Sequence, residues 1–471
     1  MIAVGMLLAD ADRHVPDWVT GMFAVLLVLM IIALAFEEKL HAKKSLIVGL
    51  FAGVCLVIAT LLQHNLLWFD SEGHYKVQLP NGHNLDLPVY IPAIEWGVIT
   101  IILGASLFVE VTSRSGVFTW LAIKLTKKTG GDPWKLLMAY GILTVVFSAV
   151  LNNVTAMIII GSLTTVSLTK LKRTDLLLGF LLVECLLTNV GGLLTLISSV
   201  PNIIVGKIAG ITFVKFFQVS APYVVVATAA TLLMGKWGFK ISGFQSDNER
   251  QLAKQLVDGF DENESISSQR FFWFSVVALV LFIACLAGQS QIPALNKLGM
   301  GFVALLFAGI VLLAYKHEAD KFYSAVDWDL LAFFSGLFVV INTMEHTGVL
   351  NVIGKGIRVL TDLGSGWGSA SLLIASAVAS SVTDNIPLSA MLAKILDAEG
   401  RPSDSPFWWC VIFGANLGGN ITPIGSASTV VAMTIIHRQK ASFSFIDFVK
   451  LAVPFAAMEI VLAIGYVLLV L

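Results

Sequence analysis

The feature that most constrains the fold of this sequence is a series of apolar runs, each long enough to form a membrane-spanning helix. They recur from Trp18 to Leu471, and examples are residues 18–36, 219–235 and 271–288. A helix of about 20 apolar residues crosses the hydrocarbon core of a bilayer. Only 13% of the residues are charged, whereas roughly 25% is typical of soluble domains. The sequence therefore predicts an all-α polytopic membrane protein.

Several classes of function are excluded or disfavoured by the same sequence. A net charge of −1 offers no basic surface for nucleic acid, so the lipid bilayer and a small ion or anion are the expected partners. No GxxxxGK[ST] loop is present, and ion gradients rather than bound ATP would therefore drive transport. We expect no cofactor, except bound sodium. Each of the four cysteines stands alone in an apolar run, which indicates small buried side chains: Cys55, Cys185, Cys285 and Cys410.

An internal repeat organises the chain. Trp96 and Trp328 each follow an acidic residue and lie 232 residues apart, and the same offset relates Asn153 to Asn385. This register, held without a gap, predicts a duplication. The expected segments are an extracytoplasmic tail (1–17), a first repeat half (18–235), a polar cytoplasmic linker (236–270) and a second repeat half (271–471).

One polar element lies between apolar arms in each half, SAVLNNVTA (148–156) and SSVTDNIPL (380–388). It could be a kinked spanning helix or a re-entrant hairpin with a polar tip. Basic residues flank the first element on both sides: Lys124, Lys127, Lys128 and Lys135 precede it, and Lys170, Lys172 and Arg173 follow it. Because such residues mark cytoplasmic loops, both flanks should lie on one side. The pattern therefore favours a re-entrant hairpin.

The remaining charges predict the topology. Five crossings from the Trp96 helix to the Trp328 helix would invert the second half relative to the first. The prediction is about ten spanning helices, two re-entrant hairpins and both termini outside. Inverted repeats with broken helices at mid-membrane are typical of secondary transporters.

Two glycine pairs, Gly191-Gly192 and Gly418-Gly419, are expected to break one helix in each half. Small hydroxyl residues follow them: Thr195, Ser198, Ser199, Thr422, Ser426, Ser428 and Thr429. Freed carbonyls, Asn side chains and hydroxyls bind a cation, whereas the N-termini of half-helices attract an anion. Both kinds of substrate remain open at this point.

Asp384 is the most informative single residue. A carboxylate at membrane depth is costly and indicates function. It is ionised beside a cation and holds a proton when alone, so it could exchange a cation for a proton. Its counterpart in the first half is Asn152. Alternatively, Asp384 caps the second hairpin arm, because Pro387 suits a first helical turn. Glu184, also in an apolar run, is a second candidate for proton coupling or an internal hydrogen-bond partner.

The motifs LNNVTA, TDNIPL, TNVGG…SSVPN and NLGGNITPIGSAS resemble the ion transporter superfamily. Within it the chain looks like the citrate-transporter-like ArsB/NhaD permeases, which include sodium/proton antiporters, arsenite permeases and the melanosomal P protein. The resemblance implies an elevator-type transporter, often a homodimer, and sodium near Asn153, Asp384 and Asn385. The implied substrate-binding or ion-binding residues are Asn152, Asn153, Thr155, Asn189, Gly191, Gly192, Thr195, Ser199, Asn202, Asp384, Asn385, Asn416, Gly418, Gly419, Thr422 and Ser426.

The leading hypothesis is a sodium/proton antiporter in a bacterial inner membrane. An arsenite, oxyanion or organic-anion transporter is the alternative. A membrane-embedded enzyme is disfavoured, because no paired nucleophile and base or HExxH-like motif is found.

A cysteine scan tests the predicted orientation. In a background without the native cysteines, Lys128→Cys should resist an impermeant thiol reagent applied outside intact cells, because its loop is predicted to be cytoplasmic. Permeabilised cells give the positive control. Ready labelling in intact cells would reverse the topology.

Overall fold

A computed structural model of the chain describes residues 15–62, 74–78, 84–88, 90–244, 246–266, 268–316, 319–438 and 443–471. Most of the predicted N-terminal tail (1–17) therefore lies outside the described residues. From the first helix to the linker, the elements in chain order are α1 (Asp17–Ala35), α2 (Glu37–Leu40), α3 (Lys44–Leu61), β1 (His74–Gln78), β2 (Asn84–Pro88), α4 (Tyr90–Ala93), α5 (Trp96–Arg114), α6 (Val117–Thr129), α7 (Pro133–Val150), α8 (Asn153–Lys170), a 3₁₀ turn (Thr174–Leu176), α9 (Leu177–Gly191), α10 (Val200–Ile208), α11 (Phe213–Gly238) and α12 (Asp247–Asp258).

The elements that follow the linker are α13 (Gln269–Gly288), α14 (Pro293–Ala314), α15 (Ala319–Ala325), α16 (Trp328–His346), α17 (Val349–Thr361), α18 (Gly364–Val382), α19 (Asn385–Ala398), α20 (Pro406–Gly418), α21 (Ala427–Arg438) and α22 (Phe445–Val470). Strands β1 and β2 pair antiparallel in the loop between α3 and α4. The hydropathy pattern did not predict this small hairpin. The rest of the described structure is the predicted helical fold.

Ten helices of the described residues are long and apolar enough to cross a membrane: α1, α3, α5, α7, α9 with its preceding 3₁₀ turn, α11, α13, α14, α16 and α22. This confirms the all-α polytopic class. The set includes α7, which the sequence assigns to a hairpin arm. It does not include α20, which has only 13 residues because the Gly418-Gly419 break ends it. A helix of that length is too short to span a bilayer alone.

The repeat is visible in the order and length of the helices. The seven helices α5 to α11 have counterparts, in the same order along the chain, in the seven helices α16 to α22. The first pair, α5 and α16, has 19 residues each, and α6 and α17 have 13 each. The last pair, α11 and α22, has 26 each. This correspondence confirms the duplication.

The chain forms two compact units, and they do not coincide with the repeat halves. Unit 1 contains Met1–Ile99, Asp327–Val359 and Lys394–Glu399. Within it, α16 and α1 both pack on α3. Unit 2 contains Thr100–Val326, Leu360–Ala393 and Gly400–Leu471. Both hairpin tips and both broken helices belong to unit 2, so every predicted site residue lies in one compact unit.

Two residues outside the helices separate the hairpin arms in each half. Leu151 and Asn152 separate α7 from α8, with ψ values of 163° and 154°. Thr383 (ψ 164°) and Asp384 stand at the corresponding place between α18 and α19. Extended ψ values end an α-helix. The polar tips predicted from the sequence therefore coincide with real helix breaks.

The polar linker carries its own amphipathic helix, α12, whose Ala253 and Val257 are buried. This segment packs on α6. Its Glu262 carboxylate pairs with Lys127 at the end of α6. The hydrogen bond from this ammonium holds the pKa of Glu262 below its ordinary value. The linker therefore contacts the end of a helix that precedes the first hairpin. Its location in the cytoplasm stays a prediction.

Glycine allows the hairpin arms and the broken helices to pack closely. A Cβ at Gly191 in α9 would lie 2.7 Å from Cα of Val145 in α7. A Cβ at Gly418 in α20 would lie 2.3 Å from the carbonyl oxygen of Ala377 in α18. Both approaches are to backbone, which cannot move aside as the end of a side chain does. The same contact therefore occurs in both repeats.

Substitution of Gly418 by alanine tests this packing. Because the added Cβ meets the α18 backbone, Gly418→Ala should destabilise the protein by about 1–3 kcal/mol, and thermal unfolding of the purified protein measures the effect. Gly465→Ala in α22 is the matched control, since a Cβ there meets nothing within 4 Å. Equal thermal midpoints for the two variants would contradict the close approach.

Candidate functional site

In each half, one threonine hydroxyl after the helix break bonds to the hairpin of the same half, and we call this contact a clasp. Thr195, after the first break, donates to the carbonyl of Ala149 at the end of α7. Thr422, after the second break, donates to the carbonyl of Ser381 at the end of α18, at 2.6 Å. These pairs are equivalent in the repeat. They satisfy carbonyls that the ends of α7 and α18 leave without a helical partner.

A second pair of contacts repeats in the same way. The hydroxyl oxygen of Ser148 lies 2.6 Å from the carbonyl oxygen of Thr188. The hydroxyl of Ser380 donates to the carbonyl of Ala415 at 2.6 Å. In each half the hairpin arm thus bonds to the last turn of the broken helix. These hydrogen bonds hold each hairpin tip beside the glycine break of the same half.

Asn189 joins the two halves. Its Oδ1 accepts from the side-chain amide of Asn153 at 3.1 Å and from the hydroxyls of Ser426 at 3.0 Å and Ser428 at 3.4 Å. Its Nδ2 donates to Oδ1 of Asn420 at 2.7 Å. One buried amide therefore contacts the tip of the first hairpin and the break of the second half. The sequence predicts both Asn189 and Asn153 as site residues, but it does not predict the contact between them or those with the second half.

Asn202 and Asn416 form a second link between the halves. Nδ2 of Asn416 donates to Oδ1 of Asn202 at 2.9 Å, and Nδ2 of Asn202 donates to the carbonyl of Gly192 at 2.7 Å. A Cβ at Gly192 would lie 2.9 Å from Oδ1 of Asn153, so the two links adjoin. Oδ1 of Asn416 is buried and has no hydrogen-bond partner among the described residues.

Glu184 is fully buried in α9. Its Oε1 accepts from the hydroxyl of Thr164 in α8 at 2.6 Å. Its Oε2 has no hydrogen-bond partner in the part of the chain that the structure describes. A buried carboxylate with one oxygen left unsatisfied is costly in its charged form. The arrangement is compatible with both sequence interpretations, an internal hydrogen bond and a proton-carrying group.

The tip residues Asp384 and Asn152 act as helix caps. Oδ1 of Asp384 accepts from the backbone N–H of Ile386 at 3.0 Å. The side chain of Asn152 accepts from the backbone N–H of Thr155 at 2.8 Å. Asp384 is half-buried, whereas Asn152 is exposed. Capping does not exclude ion binding, because an ionised carboxylate offers about four acceptor sites.

The other predicted site residues lie at the same breaks. Ser199 is the N-cap of α10 and makes no side-chain cap bond, and Asn385 is the first residue of α19. The described residues contain no group of three or more His, Cys, Asp or Glu side chains that could hold a metal ion. Any sodium site here would therefore consist of amide, hydroxyl and carbonyl oxygens with few carboxylates. The binding role of the whole set stays a prediction.

The sequence did not identify one group of polar residues, Glu459, Asn420 and Thr231, as part of the candidate site. Glu459 in α22 is fully buried and accepts from Nδ2 of Asn420 at 2.7 Å and from the hydroxyl of Thr231 at 3.0 Å. A glutamate in an apolar helix is visible in the sequence, but the sequence alone does not distinguish a structural or interfacial role from a part in a polar network. Only the fold shows that Glu459 connects through Asn420 to Asn189.

Broken helices that meet at a polar centre, repeated in two halves, characterise secondary transporters. The fold and the comparisons below define an integral membrane transporter. The citrate transporter family matches residues 31–410, and the chain belongs to this family.

Relatives and solved structures agree with this assignment. An uncharacterized transporter of Mycobacterium tuberculosis is 28% identical over 94% of this chain and 98% of its own length. A second one from that organism is 30% identical over 79% and 86%. The human P protein is 24% identical over 81% of this chain but only 55% of its own length. The transporter MtrF of Neisseria gonorrhoeae has the same fold, with a TM-score of 0.55 at 13% identity over 91% of this chain and 95% of that one.

Proposed function

We propose that this protein is a secondary active transporter that exchanges sodium for protons. The observation that carries the proposal is the buried Oδ1 of Asn416, an acceptor with no hydrogen-bond partner among the described residues. A cation satisfies such an oxygen, whereas an anion would place a second acceptor beside it. The predicted site residues include no Lys or Arg, which a site for a multivalent anion usually recruits.

Helix geometry supports a cation for a second reason. The broken helices α9 and α20 end at Gly191 and Gly418, so their C-termini point toward the breaks. The C-terminal end of a helix carries partial negative charge from its aligned peptide dipoles. Carbonyls at such half-helix ends coordinate sodium in other transporters with broken helices.

Proton coupling would use Asp384 and Glu184. Asp384 lies at a hairpin tip beside the second helix break, and it is the only carboxylate among the predicted substrate-binding or ion-binding residues. The half-satisfied carboxyl of Glu184 favours a bound proton. An elevator-type movement, a homodimer and a bacterial inner membrane location complete the proposal by family resemblance.

Transport of a carboxylate or an oxyanion such as arsenite is the second candidate. The N-terminus of α10 lies at the first break, and its N-cap Ser199 makes no side-chain cap bond. Free backbone N–H groups at a helix N-terminus bind anions. The family to which the chain belongs is also described as citrate transporters.

A flux assay separates these candidates. The protein is reconstituted in liposomes with a trapped pH dye, and sodium, lithium, arsenite and citrate are added in turn. Sodium should evoke a pH change that Asp384→Asn reduces about tenfold or more, equivalent to about 1.4 kcal/mol. Asparagine retains an oxygen for the cap to Ile386, so this substitution removes charge and keeps the cap. A flux driven by citrate or arsenite alone, or an undiminished sodium flux in Asp384→Asn, would contradict the proposal.

Asn416→Ala tests the proposed cation ligand. Loss of one oxygen ligand should raise the sodium concentration for half-maximal exchange by about tenfold, equivalent to about 1.4 kcal/mol. Asn342→Ala is the matched control. Asn342 also has a buried Oδ1 without a partner among the described residues, but it lies in α16, outside the predicted site. The two variants should therefore differ in sodium dependence, and equal shifts would count against Asn416 as a ligand.

A further inference from the structure

A chain of three side-chain amides in unit 2 has a defined direction. Nδ2 of Asn420 lies 2.7 Å from Oε2 of Glu459 and 3.1 Å from the carbonyl oxygen of Leu186. A backbone carbonyl can only accept a hydrogen bond. Asn420 must therefore turn its nitrogen toward Leu186 and Glu459 and its oxygen toward Asn189.

The orientation of Asn420 sets those of the other two amides. Because Oδ1 of Asn420 accepts from Asn189, the oxygen of Asn189 faces the opposite way, toward Asn153. The nitrogen of Asn153 donates to that oxygen, and its own Oδ1 lies 2.7 Å from the hydroxyl of Ser148. All three N–H groups thus donate in one direction, toward Glu459.

Within the described part of the chain, Glu459 has hydrogen-bond donors around it but no cationic partner. Its carboxylate accepts from Asn420 and Thr231, and no Lys, Arg or His of the described residues forms an ion pair with it. The titratable groups on the elements packed against it are Glu184 and Cys185 in α9, Tyr223, Lys215 and Lys236 in α11, and Cys410 in α20. The hydroxyl of Tyr223 donates to the backbone carbonyl of Glu459. Helix α18 carries no titratable side chain.

The fold itself does not require the polar pair formed by Asn420 and Glu459. In the first repeat half, Leu193 stands at the position equivalent to Asn420, and Ala227 at the position equivalent to Glu459. The first half thus builds the same pair of elements with two apolar residues. A buried carboxylate is expensive relative to such side chains. The pair in the second half therefore calls for a reason other than packing.

We propose that Glu459 is a proton-binding residue that controls the cation affinity of Asn189 through the amide of Asn420. This inference rests on the proposed sodium/proton exchange. An ionised Glu459 polarises Asn420, which polarises Asn189 in turn, because hydrogen bonds in series strengthen one another. The oxygen of Asn189 then carries more negative charge and holds a cation more strongly. A proton on Glu459 weakens this effect, so that proton and cation binding oppose each other.

The contacts of Asn189 permit a cation to bind. Two of the three donors to its Oδ1 are the hydroxyls of Ser426 and Ser428, which lie 2.9 Å from each other. A hydroxyl rotates and offers lone pairs as readily as its proton. Both serines can therefore change from donors to Asn189 into further ligands of the bound cation.

A binding experiment on the full chain in lipid nanodiscs tests the proposal. Sodium is titrated calorimetrically across a pH series, in buffers of different ionisation enthalpy, to obtain affinity and proton release together. Glu459→Gln should weaken sodium binding by about tenfold at alkaline pH, because a charge-assisted hydrogen bond becomes a neutral one. It should also release about one proton fewer per sodium than the wild type, since each linked group contributes up to about one proton.

A double-mutant cycle tests whether Glu459 acts on Asn189 through the side-chain amide of Asn420. Asn420→Leu removes the amide that links Glu459 to Asn189 and leaves the carboxylate of Glu459 in place. It should therefore weaken sodium binding as Glu459→Gln does. The double variant should lose no more than either single one, because coupled residues are non-additive. Glu184→Gln with Asn420→Leu is the control pair and should be additive. Additive losses for Glu459 and Asn420, or wild-type affinity and proton release in Glu459→Gln, would overturn the inference.

A milder variant covers the case in which Glu459→Gln does not fold. Thr231→Val removes one donor to the carboxylate and keeps its charge. It should move the pH dependence of sodium affinity toward higher pH, because a lost hydrogen bond to the charged form makes ionisation harder. An unmoved pH dependence in a folded Thr231→Val protein would also count against the role of Glu459. If the wild type binds no sodium at all, the proposed function itself fails.

Discussion

The structure depends on one constraint, the need to satisfy the backbone where a helix breaks inside a membrane bundle. No water is available in hydrocarbon to bond a freed carbonyl or N–H group. Here the clasps from Thr195 and Thr422 to the ends of the hairpin arms meet that need in both halves. Because both clasps join a break to a tip, they also bring the polar residues of each half together. The candidate site is thus a consequence of satisfying broken helices.

The two halves share this framework but differ in the side chains that it carries. Asn189 and Asn416 are equivalent in the repeat, yet the oxygen of Asn189 accepts three donors while that of Asn416 has none among the described residues. Asn420 and Glu459 correspond to apolar residues in the first half. Duplication accounts for the symmetry of the backbone. The side chains differ between the halves, and these differences allow one group to bind a cation and another to bind a proton.

Much of this architecture could be predicted from local features of the sequence. Apolar length indicates helices, and glycine pairs and the polar tip around Asp384 mark the breaks. The nearby Pro387 also predicted that Asp384 caps the helix that follows it. What could not be predicted were the partners of Glu459, Asn420 and Thr231. Glu459 and Thr231 lie in two different helices and Asn420 lies in the turn after α20. Hydropathy does not distinguish a buried glutamate that ends a series of hydrogen-bonded amides from one that packs alone.

The sequence by itself determined the helical class, the duplication, the hairpin tips and the helix breaks, because each follows from residues close together in the chain. Only the tertiary structure decided which polar groups meet. It joined Asn153 to Asn189, Asn202 to Asn416 and Asn420 to Glu459, although the last two pairs are separated by 214 and 39 residues. The physical reason is that a hydrogen bond needs two atoms about 3 Å apart, and that proximity is set by how whole helices pack.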